Sequence, residues 1–265
     1  MYVAIDLGGT RCRVLTTHTL DQVQRIDRHE FVLSHVFETD VQSLIDTIRR
    51  FVGNERIEAI GFGVPGNLDP EKTRFADPSV NLLEWADKPI KDILTKEFNC
   101  PVFLENDGAT AALSEAYFGL GKGKDFCFVI WGTGIGGASV KHVGKHLHCE
   151  PFDWYKYFES WEEACGGNKI LEHYSKEASE LTEAEWQSVM GDFRTELSQF
   201  IQATATENIV FGGGIAIRQQ ERLLTLAREF PDVSIQVSHL GEDAGLYGAL
   251  ALIKGSYDIT GIVKA

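Results

Sequence analysis

Apolar residues recur along this chain at two spacings, and the changes between them divide it into strands and helices. Tyr2-Val3-Ala4-Ile5 runs into Asp6-Leu7-Gly8-Gly9-Thr10, and Arg11 to Thr16 runs away again, a strand, tight turn and strand. His29 to Ser34 reads as a third strand. Asp40 is placed as the cap of an amphipathic helix in which Val41, Leu44, Ile45, Ile48 and Val52 share one face. Ile57 to Gly63 reads as a buried strand ending in the turn Val64-Pro65-Gly66, and residues 67–88 read as irregular. Pro89 is placed in the first turn of a helix that carries Ile90, Ile93 and Leu94 on one side. Pro101 to Leu104 is another short strand, and Asp107 starts a small-residue helix, Gly108 to Tyr117.

Gly119-Leu120-Gly121-Lys122-Gly123-Lys124 is the best hinge signal in the chain. Beyond it Phe126-Cys127-Phe128-Val129-Ile130 runs into Trp131-Gly132-Thr133-Gly134-Ile135-Gly136-Gly137, followed by Ala138-Ser139-Val140. Residues 151–161 are rich in aromatic and acidic side chains. Thr182 with Glu185 forms a capping box for a long helix ending near Ala205. Ile209-Val210-Phe211 leads into Gly212-Gly213-Gly214, with a helix after it through Arg222 to Phe230. Val233 to Val237 is a last strand, and Asp243 to Ile253 a last apolar helix containing Gly245 and Gly248.

Strand and helix alternate in both halves, so an α/β protein is expected, built of two related domains with a cleft between them. Residues 1–117 with 244–265 are assigned to a smaller domain and 118–243 to a larger one. Ligands in such sheets sit beyond the carboxyl ends of the strands, where all the glycine turns fall. Gly8-Gly9-Thr10 and Gly132-Thr133-Gly134 are two copies of one device. Unprotected N–H groups in such turns cradle anions, so the pair suggests a phosphate gripped from both sides, with Asp6 beside the first as a magnesium contact.

Composition narrows the classes. The 265 residues are 43% hydrophobic and 24% charged, ordinary for a globular protein. A formal charge of −14 argues against a nucleic-acid groove, which needs clustered Lys and Arg. No stretch approaches the roughly 20 apolar residues of a membrane span. The chain opens in a strand with no signal-peptide pattern, and its five cysteines have no C-x-x-C spacing, so free thiols in a cytoplasmic protein are expected. Cys12, Cys100 and Cys127 lie in or beside apolar runs and read as core residues. The eight histidines do not cluster, His142, His146 and His148 alternating along one predicted strand.

Four motifs in order resemble the ROK family of bacterial sugar kinases, within the actin-like ATPase superfamily. They are Ala4 to Thr10, Leu104-Glu105-Asn106-Asp107-Gly108-Ala109-Thr110-Ala111-Ala112, Gly132 to Gly137, and Val210 to Gly214. Gly63 to Gly66 and Asn81-Leu82 also resemble that family's pattern. The likeness implies a two-domain ribonuclease H-like fold with mixed sheets and an interdomain cleft, sugar at the cleft floor and ATP on the larger domain. Family repressors carry an added DNA-binding helix-turn-helix, for which this chain has no room. Many members also carry a zinc site of clustered cysteines, but the stretch between Glu150 and Glu159 is too short to hold it. No structural zinc is therefore expected, as in the family's polyphosphate-using glucokinases. Glu150-Pro151-Phe152-Asp153 stands where the family has Glu-x-x-His, and Phe158-Glu159-Ser160 resembles its sugar-binding Leu-Glu segment.

By this resemblance Asp107 is the catalytic base, with Asn81, Asn106, Asp107, Glu150, Asp153 and Glu159 on the sugar. Gly8, Gly9, Thr10, Gly132, Thr133, Gly134, Gly212, Gly213 and Gly214 hold the nucleotide, and Asp6 the metal. Each has a local alternative. Asp107 can simply cap the helix it starts, Asn106 can make an Asx-turn, Asp6 can bond to turn amides, and the glycines can serve hairpins or helix–strand packing. The expected activity is ATP- and Mg²⁺-dependent phosphorylation of a hexose, glucose at its 6-hydroxyl. Polyphosphate as donor, or a sugar sensor of the same fold without turnover, are the alternatives. Sugar and nucleotide are the expected partners and a homodimer the expected assembly, with neither nucleic acid nor membrane involved.

Overall fold

A computed structural model describes residues 1–20, 28–78, 80–143 and 146–255. Among the described residues the chain divides into two units, Met1–Phe118 with Asp243–Gly255, and Gly119–Glu242. No described helix is long and apolar enough to cross a membrane.

In the first unit β1 (Tyr2–Leu7) forms a hairpin with β2 (Arg11–Thr17), and β3 (Arg28–Val32) extends it antiparallel. Helix α1 (Phe37–Val52) crosses over to β4 (Ala59–Val64), which lies parallel to β1 on its other side. All six residues of β4 are buried, as in a strand covered on both faces. A small hairpin follows, β5 (Gly66–Leu68) and β6 (Phe75–Pro78), then a 3-10 segment, Val80–Trp85. Helix α2 (Ile90–Phe98) leads to β7 (Val102–Asn106), parallel to β4, and α3 (Asp107–Phe118) closes this run.

Three local readings change here. Asp40 does not cap α1: the helix begins at Phe37 behind Val36, because Phe37 belongs to the apolar face and packs edge-on against Trp85 at 5.0 Å. Asp40 is buried in the first turn, and its Oδ1 accepts from Ser34 N (2.7 Å) and Ser34 Oγ (2.8 Å). The stretch read as irregular holds the short β5–β6 hairpin and the 3-10 segment, with Asp69 accepting from Thr73 N at 2.6 Å and Arg74 N at 2.9 Å to shape the β5–β6 loop. Strands of three and four residues are too short for alternation to show. Pro89 stands just before α2, as its cap residue.

The second unit repeats the plan. Strands β8 (Phe126–Trp131), β9 (Ile135–Val143) and β10 (His146–Pro151) are antiparallel neighbours. His142 therefore lies on β9 and His146 and His148 on β10, two strands rather than one. Short helices α4 (Trp154–Tyr157), α5 (Glu159–Cys165) and α6 (Gly167–Tyr174) precede α7 (Glu183–Thr204), whose capping box pairs Thr182 with Glu185. Strand β11 (Asn208–Gly212) lies parallel to β8, and α8 (Gly214–Arg218) and α9 (Gln220–Ala227) lead to β12 (Ser234–Val237). The expected single helix after Gly214 is thus interrupted at Gln219.

The sheet orders are β3-β2-β1-β4-β7 and β10-β9-β8-β11-β12, one topology written twice. This is the expected mixed-sheet α/β architecture, present in both units. Helix α10 (Ala244–Lys254) then returns to the first unit, where it packs on α3, β1 and β4. It is apolar nearly all round, as a buried helix must be. Small residues permit the approach: a Cβ on Gly248 would lie 1.9 Å from the Thr110 carbonyl oxygen. All five cysteines are buried.

Candidate active site

The β7–α3 corner puts Asn106 and Asp107 at the carboxyl end of a parallel strand. Asn106, the last strand residue, performs the capping that the sequence offered to Asp107. Its Oδ1 accepts from Ala109 N at 3.2 Å, three residues on, and its Nδ2 donates to Gly66 O at 3.0 Å. Asp107 Oδ1 accepts from the adjacent Gly108 N at 2.8 Å, too local a bond to cap a helix. The half-buried Asp107 carboxyl is pushed up to about 6, chiefly by burial, with Asp6 adding to the rise and the Gly108 N–H opposing it. An acid with this pKa is largely ionised at neutral pH yet basic enough to take a proton, which suits a general base.

Asp6, also half-buried, is the penultimate residue of β1, paired with Gly63 of β4 and close to α10. A Cβ on Gly245 would fall 2.5 Å from Asp6 Cγ, so glycine lets the helix start abut the carboxylate. Burial pushes Asp6 up to about 6 as well, with Arg13 (Nη1 at 3.6 Å) opposing and Asp243 adding. No trio of His, Cys, Asp or Glu among the described residues could hold a metal by itself. Magnesium does not need one, since it is usually bound by one or two carboxylates together with water and phosphate oxygens. Asp6 fits that chemistry.

The two glycine turns share a bonding pattern. Gly8 N–H closes the first on Arg11 O at 2.8 Å, and Gly132 N–H closes the second on Gly134 O at 3.0 Å. The next two amides of each, on Gly9 and Thr10 and on Thr133 and Gly134, have no partner among the described residues. The carbonyls of the second turn are taken by the start of α6, with Gly167 N on Gly132 O (2.9 Å) and Asn168 N on Thr133 O (2.8 Å). The second turn thus offers amide donors with its carbonyls already engaged, and the first offers two free amides, which is what an anion requires.

Sequence reasoning missed Glu162. Its Oε2 accepts from Ile135 N at 2.7 Å and from Trp154 Nε1 at 3.4 Å, fastening the far side of the second turn. A Cβ on Gly134 would lie 2.5 Å from that oxygen. Glu162 was visible only as one of several acids following Glu159, and nothing local marks a contact made 27 residues away.

The third glycine run is tied to packing. Gly213 has φ 91, and a Cβ there would meet the Trp131 carbonyl oxygen at 2.5 Å. A Cβ on Gly212 would meet the Phe128 ring at 2.5 Å. Gly214 is open except for Arg218, and Arg218 lines a cavity of about 760 Å³ with Met190, Arg194, Gln219, Arg222 and Leu226. Arg194 and Arg222 are already paired with Glu229 and Glu183, at 2.5 Å each.

The acceptor residues proposed in the second unit separate. Glu150 sits opposite Ser139, itself opposite Cys127, five residues from Gly132 and so roughly 16 Å along the sheet at about 3.3 Å per residue. Asp153 caps α4, accepting from Lys156 N at 3.3 Å, and with Glu150 lines a different cavity of about 880 Å³. Glu159 is exposed at the start of α5, one turn before Glu162. Asn81 falls in the 3-10 segment, and its side chain lies outside the described residues.

The family model described as "ROK family" matches residues 2–148, more than half the chain. The chain belongs to the ROK family. This ROK protein is 32% identical over 143 residues to a glucokinase of Thermotoga maritima, an alignment covering 53% of this chain and 44% of that one. It thus spans under half the length of that relative. A putative fructokinase of Bacillus subtilis is 26% identical over 292 residues, covering 95% of both. Among solved structures, a ROK family glucokinase from Streptomyces griseus, in complex with glucose and AMPPNP, superposes with a TM-score of 0.74 at 20% identity. It covers 95% of this chain and 98% of its own.

Proposed function

We propose that this ROK protein is a hexose kinase that moves the γ-phosphoryl group of ATP, with Mg²⁺, to the 6-hydroxyl of glucose. The observation that carries this reading is Asp107, a half-buried carboxylate with a pKa of about 6 whose capping duty has been taken by its neighbour. Phosphoryl transfer asks for an oriented acceptor, an oriented phosphate and stabilised charge, with little covalent help from the protein. Asp107 would take the hydroxyl proton as the oxygen attacks phosphorus. Asn81 and Asn106 in the first unit and Glu159 in the second are the proposed hydroxyl contacts, and Glu150 and Asp153 are weaker choices for the reasons given. The free amides of Gly9, Thr10, Thr133 and Gly134 would hold phosphate oxygens. Magnesium on Asp6 would neutralise the phosphate charge that develops in transfer.

ATP is favoured over polyphosphate as donor. The cavity beside Gly214 has apolar walls in Met190 and Leu226, and two of its arginines already have carboxylate partners, so no run of open cations follows it. Relatives named glucokinase and putative fructokinase support a sugar acceptor. Coupled formation of glucose 6-phosphate, measured beside fructose, mannose, N-acetylglucosamine and N-acetylmannosamine with ATP or long-chain polyphosphate, tests acceptor and donor together. Turnover of none of these sugars overturns the reading. Calorimetry that then showed sugar binding would favour a sensor.

A further inference from the structure

One buried ion pair lies outside the roles above. Glu105, 2% exposed in β7, immediately precedes Asn106 and Asp107. Its Oε2 meets Lys72 Nζ, and its Oε1 accepts from the Asn106 backbone N–H at 3.0 Å. Lys72 comes from the β5–β6 loop, where it adopts the left-handed conformation at φ 51 and donates its own N–H to Asp69 O at 2.9 Å. Left-handed backbone is uncommon for a residue with a Cβ, and the surrounding Asp69 bonds to Thr73 and Arg74 hold it there. The same hairpin meets the same corner again where Asn106 Nδ2 reaches Gly66 O.

Stability is a poor reason for this arrangement, because a buried ion pair seldom outperforms well-packed apolar residues once both charges are desolvated. Burial does raise the Glu105 pKa, with Lys72 and the Asn106 N–H working against the rise. The pair is placed where it fixes direction: it holds a charged acceptor under the Asn106 amide and pins the loop that grips the Asn106 side chain. We propose that the Lys72–Glu105 ion pair is a positioning device, which locks the β5–β6 hairpin onto the β7–α3 corner and aims Asn106 and Asp107 at the acceptor. This rests on the reading of Asp107 as the base.

Lys72→Met removes the cation and leaves an acid buried without its partner, whereas Lys72→Arg restores the charge. In folded Lys72→Met, kcat should fall about 10- to 100-fold, the cost of a small misplacement, while the sugar KM stays within a few-fold. Lys72→Arg should recover most of the rate. Independently of turnover, exchange of the Asn106 amide hydrogen should accelerate about tenfold or more, because the Glu105 carboxylate that accepts from it is no longer held in place by the cation. If Lys72→Met does not fold, the uncharged pair Lys72→Met/Glu105→Gln replaces it, and the same slower kcat and faster Asn106 exchange are expected. A folded variant with wild-type kcat, or with unchanged Asn106 exchange, overturns the proposal. Were the wild type inactive on every sugar, the functional reading would fail and the exchange measurement alone would decide the positioning.

Discussion

Replacing Asp107 with asparagine separates catalysis from architecture, and the structure gives the two effects opposite signs. The folded carboxyl has a pKa of about 6 against an ordinary 3.8, a rise of roughly two units. At about 1.36 kcal/mol per unit, the ionised group opposes folding at pH 7 by up to about 3 kcal/mol. Asparagine removes the charge, and the cap is untouched because Asn106 makes it. Asp107→Asn should therefore raise the melting temperature at pH 7, by about 2–4 °C for each kcal/mol recovered in a domain of this size. Near pH 4 the folded wild-type group is already protonated and the gain should shrink to a small fraction of its pH 7 value. Removal of a general base costs about 10²–10⁴-fold in kcat, with sugar affinity changing far less. Coupled glucose 6-phosphate formation and thermal unfolding at both pH values measure the pair of effects. A kcat within a few-fold of wild type, or a lower melting temperature at pH 7, would refute the reasoning.

Further outcomes follow from the same geometry. The wild-type rate should fall as pH drops through about 6, where Asp107 and Asp6 both take up protons. Thermal stability should move the other way, improving between pH 7 and 5 before the remaining carboxylates titrate, and a flat profile in both would contradict the buried acids. Asp6→Asn should raise the Mg²⁺ concentration for half-maximal rate by about tenfold or more, as expected for loss of a charged ligand; magnesium titration of the rate checks it, and chelation should stop wild-type turnover. Glu162→Ala frees the Ile135 N–H and should raise the KM for ATP by about tenfold, on the value of a hydrogen bond to a charged group. Glu162→Gln keeps an acceptor and should stay near wild type in ATP kinetics.

The doubled strand–turn–strand device could be read from residues alone, because both glycine turns follow apolar runs long enough to show their spacing. Asn106 and Asp107 were also legible, but their division of labour was not: either side chain can cap α3, and only the bond from Ala109 N to Asn106 assigns it. Asp40 was misplaced for a related reason. Its acid-before-apolar pattern is that of a cap, yet Phe37 upstream already belongs to the buried face. The β5–β6 hairpin was missed because its strands are short and Asp69, rather than periodicity, shapes it. Glu162 and Lys72 act across 27 and 33 residues, distances over which sequence spacing carries no geometric signal.

The placement of α10 bears on how this chain is made. The unit that holds Asp6 and Asp107 is complete only when the segment from Asp243 joins Met1–Phe118, after the whole second unit has been synthesised. At about 5–20 residues per second the intervening stretch of roughly 125 residues takes some 6–25 s, during which the faces of α3, β1 and β4 that await α10 stay open on the ribosome. The described part of the second unit, Gly119–Glu242, is one continuous stretch of chain and can fold first. Nascent chains halted before residue 244 should therefore protect the Gly132 turn from protease while leaving the Asp107 corner open to cleavage, an order of assembly opposite to the order of translation.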